Sequence, residues 1–375
     1  MSVTPHDESF MAAAIRLSRR HLGRTATNPS VGCLIVKDGV VVGQAITAVG
    51  GRPHAETQAL AEAGELSRGA TAYVTLEPCS HHGKTPPCSE ALIASGVARV
   101  VISVTDPDPR VSGRGIAMLR EAGIEVDAGV LEAEGRRSLA GYLTRQTKNR
   151  PYVTLKLAVS ADGMIGREGA GQVAITGPEA RAEVQALRAE TDAILVGIGT
   201  AISDDPLLTV RTPGLEAQSP IRIVLDPLLA LPLTSKLVAT AREVPVIVVA
   251  SEEISPSGSE GGAPPTRSDL ESRRTALEAA GVEIVYCNPY HPEILLPALA
   301  TRGISSLLVE GGAKTARLFL EAGLVDRIQL YQAPVVIGEG GIESPLEITD
   351  IPSGFVHTGT QMFGEDRLDE YERGL

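Results

Sequence analysis

The sequence predicts an α/β protein built as two layered domains, and three observations carry that expectation. The chain has 375 residues, more than one ordinary core encloses. Apolar residues make up 43% and charged residues 21%, the balance of a globular chain rather than a disordered one. Short apolar runs alternate with segments of helical period along most of the length, as sheets covered by helices require.

The elements follow in order. Residues 7–22 read as a helix, with Phe10, Ala14, Leu17 and His21 at helical spacing. VGCLIV (31–36) and VVVGQAI (40–46) read as strands joined through Asp38-Gly39, which accept the positive φ of a tight hairpin. A helix AETQALAEAGEL, a strand AYVTL, a helix CSEALIASG and a strand RVVISV come next. A helix at 114–122 and a strand at 124–130 follow, and LEAEGRRSLAGYLTRQTKN is a helical exit. The boundary falls there, giving domains 1–148 and 149–375. The second domain opens on the alternating strand YVTLKLAVS, and DAILVG, RIVLD, VPVIVVAS, VEIVY and SSLLVEGG recur as apolar strands. Residues 251–274, rich in Ser, Gly and Pro, read as a surface loop.

Charge and composition narrow the function. A net charge of −12 disfavours nonspecific binding to a phosphate backbone, and 3% aromatic residues with no Trp leave no stacking platform for single strands. No apolar run reaches membrane-span length and the N-terminal segment lacks signal-peptide order, so a cytoplasmic protein is expected. Four cysteines make no disulfide framework, so a pair close in sequence points first to a metal or redox site.

PHAETQAL (53–60) and EPCSHHGKTPPC (77–88) hold His54, Glu56, Cys79 and Cys88. Each candidate ligand is expected at a helix start, where the dipole favours thiolate, and Pro78 and Pro87 fix the chain just before the two sulfurs. One imidazole and two thiolates hold zinc with the fourth position open, as a catalytic site does. Glu56 is placed to move a proton between the activated water and a leaving amine. His-x-Glu followed by Pro-Cys-x-x-Cys is the zinc deaminase signature; here eight residues separate the cysteines. The competing reading is a structural zinc site, with His81 or His82 as fourth ligand. SHHGKTPP adds a lysine and two histidines to the rim, which a phosphorylated or polyhydroxy substrate would use. Cys33 reads as core packing, and His6, His21, His291 and His357 as surface or ordinary packing.

The second domain has no Gly-x-Gly-x-x-Gly. Strand SSLLVE instead runs through Gly311-Gly312-Ala313-Lys314-Thr315 into a helix, a phosphate cradle of free N–H groups. VGIGT (196–200) is a second junction of that kind. Two such loops fit a long two-part ligand across the strand ends. DDPLLTVR (204–211) adds Asp204, Asp205 and Arg211.

NPSVGC (28–33), PHAE (53–56) and LEPCSHHGKTPPC (76–88) resemble the deaminase domain of the bifunctional riboflavin-biosynthesis deaminase/reductase family. VTLKLAVSADG (153–163), DAILVGIGTAISDDPLLTVR (192–211) and LLVEGGAKTARLFLEAGLVDRIQLY (307–331) resemble its reductase domain. The resemblance runs from about residue 7 to about 345. It implies a cytidine-deaminase-like three-layer domain followed by a dihydrofolate-reductase-like domain. It implies deamination of 2,5-diamino-6-(5-phosphoribosylamino)pyrimidin-4-one and then reduction of the ribosyl chain to ribityl by NADPH. His54, Cys79 and Cys88 then hold zinc, and Glu56 shuttles the proton. Asn28, His81, Lys84, Gln172, Arg188, Leu208, Arg211 and Glu310 match substrate positions, with Arg188 and Arg211 the cations for the 5′-phosphate. Ala158, Ala174, Thr200, Asp204, Gly312, Ala313, Lys314 and Thr315 match cofactor positions, and Lys156 is a further match. A homo-oligomer is also implied.

Three positions depart from the family pattern. Thr47 replaces a usual His, Asp108 a usual Asn, and Ala174 a Trp that packs near the cofactor. Ala174 motivates an alternative, a deaminase whose second domain is an inactive scaffold; the intact EGGAKT and DDPLLTVR segments oppose it. A nucleic-acid-editing deaminase is opposed by charge, aromatic content and the cysteine spacing.

Overall fold

The computed structural model describes residues 3–82, 86–109, 111–251 and 265–374. The chain divides into two compact units, Met1–Arg150 and Pro151–Leu375.

The first unit runs α1 (Pro5–Ser18), β1 (Gly32–Lys37), β2 (Val40–Ile46), α2 (Ala55–Ala63), β3 (Thr71–Leu76), α3 (Cys88–Ser95), β4 (Arg99–Val104), α4 (Arg114–Glu121), β5 (Glu125–Ala128), α5 (Glu132–Ser138) and α6 (Ala140–Lys148). Its sheet has the order β2-β1-β3-β4-β5. β1 is antiparallel to β2 and β3, whereas β3, β4 and β5 are parallel. Asp38 and Gly39 both take positive φ in the β1–β2 turn. Strand alternation sorts the side chains into three layers. Cys33 and Ile35 of β1 face a core with Ala55 and Ala59 of α2, Leu92 of α3 and Leu119 of α4. Leu34 and Val36 face Met11, Ala14 and Ile15 of α1. Cys33 is therefore core packing.

The second unit runs β6 (Tyr152–Val159), β7 (Met164–Arg167), α7 (Pro178–Ala189), β8 (Ala193–Gly197), α8 (Ile198–Asp204), β9 (Ile221–Leu225), α9 (Lys236–Ala239), β10 (Val246–Ala250), α10 (Arg267–Ala280), β11 (Glu283–Tyr286), α11 (Pro292–Thr301), β12 (Ser306–Glu310), α12 (Ala313–Glu321), β13 (Arg327–Gln332), β14 (Gly341–Glu343), β15 (Phe355–Phe363) and β16 (Asp366–Arg373). Its main sheet has the order β11-β10-β9-β8-β12-β6-β13-β16-β15. Every pair from β11 to β13 is parallel, and β16 and β15 close the edge antiparallel. β12 lies between β8 and β6, so the strand ends that carry Gly197, Glu310 and Lys156 are neighbours.

The structure corrects the sequence reading in three places. Cys79 opens no helical turn; residues 77–80 are irregular and are tied down by the hydrogen bonds described below. Residues 267–274, read as loop, belong to α10. That helix has a Thr266–Asp269 capping box and ends at Gly281 in a left-handed conformation. It buries only Leu277, so it lacks the apolar stripe by which helices are recognised. The rest of that polar stretch, 252–264, lies outside the described residues. Finally, β13 and the β15–β16 hairpin extend the sheet beyond the six strands expected. β15 is almost wholly exposed and so shows little apolar alternation.

Candidate active sites

Three chain segments build the first site. His54 is the N-cap of α2, with Glu56 in its first turn and only 4% exposed. Cys88 is the first residue of α3, behind Pro87, whose fixed φ suits a helix start. Cys79 follows β3 in the irregular segment, so the protein brings together two helix starts and one strand exit. The ligand atoms of His54, Cys79 and Cys88 all lie within 4.8 Å of one another. His54 Nδ1 is 3.3 Å from Cys88 Sγ and 3.7 Å from Cys79 Sγ, and the Cys88 N–H donates to Cys79 Sγ at 3.3 Å.

The electrostatics fit a cation. The Cys88 thiol, above all, holds Cys79 down to about 4 against the cost of burial, with His54 adding to the effect. Cys88 itself is pushed up by the Cys79 sulfur, by burial and by Glu56. Burial raises Glu56, with His54 opposing; the bond to Cys79 raises His54. A thiolate, a second thiol that loses its proton to a metal and a convergent imidazole are the donor set of a zinc site.

Among the described residues no fourth protein ligand joins this group. His82 instead faces Glu90 at 3.5 Å, with its side chain 69% exposed. The buried Nδ1 of His81 has no hydrogen-bond partner among the described residues. Asn28 lies against Gly51, whose φ is +89°; a Cβ there would come within 2.3 Å of Asn28 Nδ2, so glycine permits that approach. Lys84 lies outside the described residues. Thr47 is buried, accepts the Val31 N–H through its hydroxyl and meets His21 Nδ1 at its carbonyl. His21 thus has a partner that its sequence neighbours do not show. Asp108 is buried, and its N–H donates to Asp106.

In the second unit, residues predicted for the cofactor gather at two strand-to-helix junctions. Gly197 caps α8 and Gly312 caps α12, both in extended conformation. The Gly312 N–H donates to Thr200 Oγ1 at 3.0 Å, which ties the two junctions together. Thr315 packs over Gly197 so closely that a Cβ there would meet its Oγ1 at 2.5 Å. Ala313 and Lys314 form the first turn of α12. Ala158 lies on the neighbouring β6, paired with Tyr331, and Asp204 ends α8.

A charged cluster lies beside these junctions. Arg188 donates to Glu310 from Nε at 2.8 Å and from Nη2 at 2.9 Å. Burial opposes both charges, yet Glu310 keeps Arg188 raised, and Arg188, with Lys156 and Arg211, keeps Glu310 lowered. The bidentate grip that the sequence assigns to Arg188 for phosphate is therefore taken by Glu310. Lys156 is lowered by burial and lies 5.5 Å from the Tyr331 ring centre. Arg211 is exposed and feels both Arg188 and Glu310.

Leu208 has φ of +56° and packs its side chain into an apolar core with Ile194 and Val196, so only its backbone can meet a ligand. Gln172 and Ala174 lie exposed on a loop whose Gly171 faces the Ser203 carbonyl at the end of α8. Sequence reasoning missed Glu77, Tyr142 and Arg222, buried or half-buried polar residues that brace these sites. Their types are ordinarily solvated, and no local pattern sets them apart.

Comparison with known proteins places these sites in context. Residues 4–104 match the model of the cytidine and deoxycytidylate deaminase zinc-binding region, and residues 151–366 match the RibD C-terminal domain. The riboflavin biosynthesis protein RibD of Aquifex aeolicus is 42% identical over 89% of this chain and 88% of its own. That of Escherichia coli is 42% identical over 88% and 89%. A solved Thermotoga maritima structure described as a diaminohydroxyphosphoribosylaminopyrimidine deaminase/5-amino-6-(5-phosphoribosylamino)uracil reductase is 34% identical. It superposes with a TM-score of 0.83 over 98% of this chain and 99% of that one.

Proposed function

The chain belongs to the RibD family of bifunctional riboflavin-biosynthesis enzymes, and from that premise we propose which of its residues carry each reaction. It is a zinc-dependent pyrimidine deaminase joined to an NADPH-dependent reductase. The substrate is 2,5-diamino-6-(5-phosphoribosylamino)pyrimidin-4-one, and the deaminated product is then reduced from ribosyl to ribityl.

In the deaminase, His54, Cys79 and Cys88 hold the zinc, which when bound supplies a nucleophilic water at neutral pH. Glu56 is placed to accept a proton from the attacking water and deliver it to the departing ring amine; the carbon–nitrogen bond breaks, the carbon keeps the water oxygen as a carbonyl and ammonia leaves. Asn28, His81 and Lys84 hold the substrate; the buried Nδ1 of His81, which has no hydrogen-bond partner among the described residues, supports this role. In the reductase, NADPH supplies the hydride. The first turn of α12, from Gly312 to Thr315, and Thr200 would hold the cofactor's phosphates, and Ala158, Ala174 and Asp204 would be its further contacts. Arg211 meets the substrate 5′-phosphate, while Arg188 holds Glu310 toward the substrate; the bidentate Arg188–Glu310 pair supports this division. Gln172 and the Leu208 backbone complete the wall.

The protein is further read as a cytoplasmic homo-oligomer that takes no nucleic acid. Its four free cysteines support the cytoplasmic part of that reading, and its net charge of −12 the part about nucleic acid. Among the described residues no helix is long and apolar enough to cross a membrane.

The convergence of His54, Cys79 and Cys88 beside Glu56 is the observation that carries the assignment. Its test supplies the diaminopyrimidine ribosyl phosphate and NADPH to the zinc-loaded protein and follows ammonia and NADPH in one sample. Both signals are expected, and Glu56→Ala abolishes both because the reductase then lacks its substrate. Ammonia without NADPH consumption would leave the second unit a scaffold.

A further inference from the structure

We propose that Glu77 is a positioning residue of the deamination site, a carboxylate that clamps the turn bearing Cys79 to the start of α4. The proposal rests on the reading of the His54–Cys79–Cys88 cluster as a zinc deaminase centre.

Glu77 is 3% exposed. Its Oε1 accepts the N–H groups of Gly115 at 3.0 Å and Ile116 at 3.3 Å. Its Oε2 accepts those of Gly113 at 3.0 Å and Asp106 at 3.3 Å. A carboxylate offers about four acceptor positions, and backbone donors take all of them. Glu77 therefore has no acceptor position left for a metal. Its role is mechanical.

Helix α4 makes the need plain. Its N-cap is Gly113, which has no side chain to receive the free N–H groups of the first turn. Glu77 supplies that cap from a different strand exit, with the charge that the positive helix end favours. The fit is close. A Cβ on Gly115 would lie 2.1 Å from the Pro78 carbonyl oxygen, the residue directly before Cys79. The next turn of the same α4 face reaches the other sulfur turn: the Ser89 hydroxyl donates to the Cys79 carbonyl at 3.0 Å and lies 3.6 Å from Met118 Sδ. The loop before α4 is braced as well, because Tyr142 of α6 donates to both oxygens of Asp106. The carboxylate thus sets the spacing between Cys79, Cys88 and the wall at 106–108.

The test uses the full-length, zinc-loaded protein. Zinc release to a colorimetric chelator, amide hydrogen exchange over 105–121, ammonia release and NADPH oxidation on the already deaminated substrate are measured for wild type, Glu77→Gln and Gly115→Ala. Glu77→Gln turns an amide N–H toward a backbone N–H. It is expected to release zinc at least about tenfold faster, to lose amide protection at 106, 113, 115 and 116, and to lower kcat for deamination. NADPH oxidation stays at the wild-type level. Gly115→Ala keeps the carboxylate but forces the same joint apart, and the same pattern is expected. Lost deamination with wild-type zinc release and exchange would place Glu77 at the reacting atoms and overturn the proposal. Wild-type behaviour of Gly115→Ala overturns it too, and decides the matter if Glu77→Gln does not fold. A wild-type protein that binds no zinc would refute the underlying site assignment instead.

Discussion

Glu56 is buried and Glu310 largely so, and their neighbours give the two carboxylates opposite tendencies. Burial raises Glu56 and the Cys79 sulfur adds to the rise, while His54 and the bond to Cys88 oppose it. Glu310 stays ionised because Arg188 grips both of its oxygens. Glu56→Gln is therefore expected to cut deamination by about 10²–10⁴-fold while zinc content and NADPH oxidation on deaminated substrate remain; metal analysis with both assays checks it. Arg188→Met leaves Glu310 buried without its fork and should destabilise the reductase unit by about 3–5 kcal/mol, measured by urea unfolding. The pH sign follows from Glu310's lowered folded pKa. The pair contributes fully above the ordinary Glu value of about 4.3. That contribution is lost as pH falls through the lower folded value, so wild type and Arg188→Met should converge in stability toward strongly acidic pH. Both glutamates differ little as letters in the sequence; the HAE motif marked one and a resemblance the other.

Among the elements, the loop from Asp204 to Arg211 shows how a strand can govern a site it does not touch. Asp205 and Leu208 hold left-handed conformations that non-glycine residues adopt at a cost. Arg222, fully buried in β9, donates to the Leu207 carbonyl between them and to Thr240 and Val244 behind. Burial, with no carboxylate bonded to it, lowers Arg222 to about 10. Arg222→Met is expected to raise the KM for NADPH by roughly tenfold, equivalent to about 1.4 kcal/mol, with less effect on kcat and none on ammonia release. Steady-state kinetics of both reactions checks this. Strands with dense apolar residues were legible because the parallel sheet buries both of their faces. Helix α10 and strand β15 were not, because each buries too little to leave a period.

For the molecule as a whole, each chemistry has its own unit and its own sheet. Stripping zinc with a chelator should stop ammonia release and leave NADPH oxidation on the deaminated substrate intact; readdition of zinc restores the first signal. Two α/β units and the candidate donors His54, Cys79 and Cys88 with Glu56 beside them could be read from the letters alone. Motif spacing and apolar period are local properties, and they survive in one dimension. Which partners satisfy the buried charges is a matter of the fold: Glu310 on Arg188, four backbone N–H groups on Glu77, four acceptor contacts around Arg222. Those pairings join residues 29 to 122 positions apart or close loops of 15 to 22. They exist because an unpaired charge cannot stay in a packed interior, a requirement that arises only once the chain has folded around it.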